Sequence, residues 1–163
     1  GKLYSVDIDD CSNVSKDQNW KFIKSRDDDF DFVKSNIPNK IDILFIDTLH
    51  EAKHVEKLLY NYYDLIKIGG FIFIDDISHL PYINGKNKTD FYCEINNNET
   101  FKKILEIYFH NSLKFDLSFS FISSGLGILK KKEETLTSSK KLNSRENSLK
   151  NIIRKIWLKT KNF

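Results

Sequence analysis

Residues 41–76, IDILFIDTLHEAKHVEKLLYNYYDLIKIGGFIFIDD, constrain the fold more than any other stretch of the chain. Ile41–Ile46 is a short apolar run that stops at Asp47, and residues 71–74 form another that stops at Asp75 and Asp76. Between them Val55, Leu58, Leu59, Tyr62 and Ile66 recur at helical spacing, and Gly69-Gly70 supplies a flexible stop. Two strands joined by one helix run parallel with a right-handed crossover. Parallel strands end on one edge of the sheet, so Asp47, Asp75 and Asp76 share the rim where open α/β sheets bind ligands. Three carboxylates there suit a cation, a ribose or a reacting proton.

The rest of the chain extends this unit. Residues 2–8 read as a strand running into the acidic turn Asp7-Ile8-Asp9-Asp10, and Trp20–Lys24 reads as a second strand. Residues 27–35 fit a helix with aspartates at its N-terminus, where carboxylates suit the dipole. Residues 77–98 are rich in Asn and aromatics and read as a long functional loop containing Tyr82, Phe91 and Tyr92. A helix over 99–109 follows, then strands over 114–120 and 125–129 joined as a hairpin at Ser123-Ser124-Gly125. The expected class is α/β, with a mainly parallel sheet and one antiparallel strand.

Length and composition narrow the rest. At 163 residues one domain is expected, spanning 1–132, with a tail over 133–163. The tail holds eight Lys/Arg against three Glu, so it carries net +5 while residues 1–132 carry −2. Mild acidity in the core argues against a dedicated nucleic-acid-binding fold. Residues 133–148 read as disordered, and 149–158 as a short basic amphipathic helix that could touch an anionic membrane or a partner. No run approaches the roughly 18 apolar residues of a membrane span. Cys11 and Cys93 make neither a disulfide framework nor a zinc site, which points to a reducing, cytoplasmic setting. Because the chain opens at Gly1 with a core-like strand immediately after, a fragment is expected.

Several segments together resemble the class I S-adenosylmethionine-dependent methyltransferases, most closely the group called methyltransferase family 24. They are LYSVDID (3–9), SRDDDF (25–30), FIDTLHEAKHV (45–55), IKIGGFIFIDD (66–76) and SSGLGILKK (123–131). Ile68 stands where that family usually has Pro. The resemblance covers about residues 1–132 and implies a Rossmann-like fold. It also implies that the fold's first strand, central in the sheet, and its glycine-rich loop lie outside this sequence. By the same resemblance Asp7 takes the ribose hydroxyls, Ile8 packs on adenine, and Asp27 or Asp28 lies near the adenine amino group. Asp47, Asp75 and Asp76 then hold Mg²⁺ or another hard divalent cation, and His50 or Asp47 acts on the acceptor. His79, where acceptor-binding loops begin, ranks below His50, and His54, one helical turn on, could pair with His50 but reads more simply as solvated. Helix capping or ordinary turn geometry accounts for each of these aspartates equally simply.

The implied function is methyl transfer from S-adenosylmethionine to a hydroxyl of a small molecule or sugar, by a possible homo-oligomer. The competing readings are a cephalosporin-hydroxylase-like enzyme, or a non-catalytic fragment or ligand-binding domain of the same fold.

Overall fold

The computed structural model describes residues 1–79, 88–142 and 148–161. Tyr82 lies outside the described residues, as do the side chains of Phe91 and Tyr92. Among the described residues six strands and four helices follow in the order β1 (Leu3–Asp7), β2 (Trp20–Lys24), α1 (Phe30–Asn36), β3 (Ile41–Ile46), α2 (Ala52–Tyr63), β4 (Ile66–Asp75), α3 (Lys88–Asn111), β5 (Phe115–Ser120), β6 (Leu126–Lys131) and α4 (Leu149–Lys161).

The strands form two sheets. β1 pairs with β2 in parallel, and the second sheet runs β3-β4-β6-β5. β3 and β4 are parallel, whereas β6 is antiparallel to both its neighbours. One antiparallel strand in an otherwise parallel set is the architecture expected from the sequence. The division falls between β1 and β3. A slot of about 740 Å³ occupies that place, lined by residues 2–6 at β1, residues 41–48 at β3, and Val33, Leu58 and Tyr62.

Burial explains the pairing of helices with strands. Leu58, Leu59, Tyr62 and Tyr63 of α2 join Ile104 and Ile107 of α3 in one core with Ile66, Ile72, Ile74, Phe115 and Leu129. Val55, Leu58, Leu59 and Tyr62 belong to the helical stripe read from the sequence; Tyr63 adds to it, and Ile66 of that stripe lies in β4. Ile43 and Phe45 of β3 point the other way and stay 61% and 56% exposed. Strands whose two faces are both apolar normally lie covered on both.

Three elements depart from expectation. β4 starts at Ile66, because the chain reverses out of α2 already at Asp64-Leu65 and Gly69 turns within the strand at φ 83°. Gly70 must be glycine there, since a Cβ would lie 2.7 Å from the Asp42 carbonyl oxygen. α3 starts at Lys88 rather than near residue 99, so much of the supposed loop is helix. Residues 133–142, part of the segment read as disordered, lie against the helices. Thr137 is held at both its amide and its carbonyl by Asn111, at 2.7 and 2.9 Å, and Ser139 donates its amide to the Tyr60 hydroxyl at 2.9 Å. Polar composition here reflects a strap hydrogen-bonded across α2 and α3.

Candidate active site

The ends of β3 and β4 build the rim. After Ile46 the chain runs Asp47-Thr48-Leu49-His50 before α2 begins at Ala52. After Asp75, Asp76 adopts φ 54°, a left-handed conformation that Asp tolerates better than most residues. That turn brings the Asp76 carboxylate to the imidazole: His50 Nε2 lies 3.1 Å from Asp76 Oδ2. Both side chains keep access to solvent, 39% and 27% exposed. The Asp76 carbonyl in turn accepts the Asn97 side-chain amide at 3.2 Å, with that amide oriented to donate. The Asn98 amide reaches the Ser78 carbonyl at 3.1 Å. α3 therefore braces the segment carrying Asp76. Asp75 Oδ1 lies 3.5 Å from Ser124 Oγ of the β5–β6 turn. That turn is fixed by Gly125, at φ 91°, because a Cβ there would fall 1.9 Å from the Ile77 carbonyl oxygen.

An aromatic wall stands beside this rim. The His79 ring lies tilted 4.1 Å from that of Phe121, and Phe101 lies 4.9 Å from Phe119. His79 is exposed, so its ring is part of the surface the rim presents.

Asp7 ends β1 and is exposed with Ile8, which is 65% exposed. Asp7 Oδ1 accepts the Asp9 amide at 2.9 Å, which orients the carboxylate. An exposed acceptor beside an exposed apolar side chain at a parallel strand's end fits ribose hydroxyls and a purine face.

Asp27 and Asp28 are engaged within the chain. Asp27 accepts the Thr48 hydroxyl, and His54 Nε2 lies 3.0 Å from its Oδ1. The Tyr62 hydroxyl donates to the Asp27 carbonyl at 2.7 Å. His54 is thus only 11% exposed, not solvated as its sequence position suggests, because the 25–29 loop folds over α2. Asp28 pairs with Arg26 at 2.8 Å and Lys57 at 3.0 Å. The hydrogen bond from Arg26, then that from Lys57, holds the Asp28 carboxyl well below the usual carboxylate range. The observed work of both aspartates is to tie the β2–α1 loop to α2. Thr48, Lys57 and Asn97 also escaped the sequence reading, and Ser124 was read only as part of the hairpin turn, since no local pattern marks contacts between such distant segments.

The donor set expected for a cation does not assemble. Among the described residues no group of three or more His, Cys, Asp or Glu side chains is placed to hold a metal ion. Asp47, Asp75 and Asp76 share the rim, but Asp76 is turned to His50 and Asp75 to Ser124.

Residues 1–77 match a family model described as a methyltransferase domain. No curated protein matches the chain in sequence. Among solved structures it resembles the MycE methyltransferase of the mycinamycin biosynthetic pathway in complex with Mg, SAH and mycinamycin VI, at TM-score 0.56 and 18% identity, covering 81% of this chain and 37% of that one. The SAH-bound methyltransferase PaMTH1 of Podospora anserina matches at TM-score 0.58 and 12% identity, over 81% of this chain and 61% of that one. A putative caffeoyl-CoA O-methyltransferase from Staphylococcus aureus matches at 0.57 and 15%, over 80% and 64% respectively. The chain therefore spans less than two thirds of the length of each. With the match over residues 1–77, the shared fold makes this a class I methyltransferase-fold chain that resembles methyltransferase family 24.

Proposed function

We propose that the chain supplies the acceptor side, and part of the donor side, of a site for methyl transfer from S-adenosylmethionine to a hydroxyl of a small molecule or sugar. The observation that carries this reading is the His50–Asp76 pair on the rim where β3 and β4 end. A carboxylate facing Nε2 holds the proton on that nitrogen, which leaves the Nδ1 lone pair to accept the acceptor hydroxyl's proton. Asp76 also stabilises the imidazolium that results. The left-handed turn at Asp76 and the Asn97 bond to its carbonyl keep the carboxylate aimed at the ring. Such positioned bases contribute about 10²- to 10⁴-fold in rate. S-adenosylmethionine, when bound, supplies the electrophilic methyl group. Asp7 would hold its ribose and Ile8 its adenine, while His79 and Phe121 flank the acceptor. The neighbours bound to SAH or to Mg support the donor assignment and raise the question of a metal. A cation on Asp47, Asp75 and Asp76 would share the Asp76 carboxylate with His50, and no step here depends on one.

The donor side is tested by calorimetric titration of the whole polypeptide with S-adenosylhomocysteine. Loss of a charge-assisted ribose contact in Asp7→Ala should weaken binding about tenfold or more. Absence of binding by the unaltered polypeptide would remove the methyl donor from the account. Equal binding by Asp7→Ala would move the ribose contact elsewhere.

A further inference from the structure

The helix α4 is built unlike the rest of the chain. Leu149, Ile152, Ile153, Ile156 and Trp157 follow the 3–4 spacing of a single helical stripe, and all five are exposed, from 43% at Ile152 to 78% at Leu149. At about 100° per residue these positions cover an arc of about 140°. Five cationic residues (150, 154, 155, 159 and 161) share the helix with no acidic residue. By the same helical period Lys150, Arg154 and Lys161 fall on one side of the stripe, and Lys155 and Lys159 on the other. Leu158 alone among the apolar positions falls opposite. Lys140, Lys141 and Arg145 precede the helix.

We propose that α4 is an interfacial anchor that lies in the surface of an anionic lipid bilayer. An apolar stripe bordered on both sides by long cationic side chains matches that boundary: the stripe enters the acyl region while the cations reach the headgroup phosphates. Trp157, at the border of the stripe, suits the headgroup level. The helix lies on the membrane and does not cross it. Thirteen residues extend about 20 Å, against about 30 Å of hydrocarbon, and no described helix is long and apolar enough to span. Pairing of two α4 helices along their stripes would align cations against cations with no acidic residue to offset them. The charge pattern therefore favours phospholipid over a second copy. This inference is independent of the chemistry proposed at the rim.

The experiment is co-sedimentation of the whole polypeptide with vesicles of phosphatidylglycerol and phosphatidylcholine, or of phosphatidylcholine alone. Binding is expected only to the anionic vesicles, with loss in high salt and a blue shift of tryptophan emission that the Trp157→Phe variant lacks. Each cation near the surface is worth roughly fivefold in affinity, so Lys150→Glu with Lys155→Glu should weaken binding at least about 25-fold. Ile153→Asp with Ile156→Asp should abolish it, while the circular dichroism of the remaining domain stays intact. Failure of the unaltered polypeptide to bind anionic vesicles would overturn the proposal. So would binding that survives Ile153→Asp with Ile156→Asp. Light scattering that showed a dimer dissolved by those substitutions, without vesicle binding, would assign the stripe to a second copy and overturn it equally.

Discussion

At Tyr62 one phenol joins core and rim. The ring is buried against Phe30, and its hydroxyl donates to the Asp27 carbonyl, so it links α2 to the loop that carries Asp27 and Asp28. Burial, and then the nearby Asp27, Asp28 and Asp29 carboxylates, push the phenol up to about 12. A raised pKa means that the fold prefers the neutral form. The contribution is complete below the unfolded value near 10 and is lost as pH rises from there through 12. Two units correspond to about 3 kcal/mol. Denaturant melts between pH 10 and 12 should therefore show a stability slope that Tyr62→Phe makes shallower, by up to about 1.4 kcal/mol per pH unit. Burial raises Tyr63 as well, so a residual slope persists in that variant. An unchanged slope would place the alkaline sensitivity elsewhere. Tyr62 was legible from the sequence as a core position, because helical periodicity reports which face is buried. Its hydroxyl bond was not, because periodicity carries no information about polar partners 35 residues away. Lys131 is the extreme case. A lysine next to a strand's end reads as solvated, yet it is 1% exposed, with Nζ bound to the Tyr63 carbonyl at 3.2 Å and set over that ring at 4.8 Å.

Among the elements, the strap over residues 133–142 shows what fixes a polar segment without a core of its own. Asn111 is 2% exposed and spends its amide on the Ile107 and Thr137 carbonyls, and its oxygen on the Thr137 amide and hydroxyl. Asn111→Ala removes the partner of the Thr137 amide, while the Thr137 carbonyl keeps the Tyr60 hydroxyl at 2.8 Å. The expected cost is about 1 kcal/mol. Hydrogen exchange at Thr137 and Ser139 should quicken far more than at Leu129, in the centre of β6. Uniform exchange across the strap and β6 would mean that the strap and sheet open together. Composition misled at this point because serine, threonine and lysine are equally suited to solvent and to side-chain bonds along helix surfaces. The starting unit β3–α2–β4 was legible because apolar runs, helical period and terminal aspartates agree. The length of α3 was not, because its first turns carry Asn and aromatic residues that resemble a loop.

For the whole molecule, the two sheets meet across the slot between β1 and β3, and the segments that follow β2 and β3 are joined where Thr48 donates to Asp27. Strand content and order were readable from the sequence. Pairing was readable only within each sheet, since the division depends on what separates β1 from β3. The rim was half legible: the strand-end aspartates stand where expected, but Asp76 has taken His50 as its partner, while Asp27 and Asp28 brace α2. The account rests on that His50–Asp76 pair as the base for the acceptor hydroxyl. Its most direct test is the initial rate of methyl transfer from labelled S-adenosylmethionine to hydroxylated small molecules and sugars. The rate is compared between the whole polypeptide and its His50→Ala variant, with donor affinity measured alongside. The account predicts a loss of about 10²- to 10⁴-fold in rate with donor affinity unchanged; a His50→Ala variant that keeps its rate within a few-fold would contradict it.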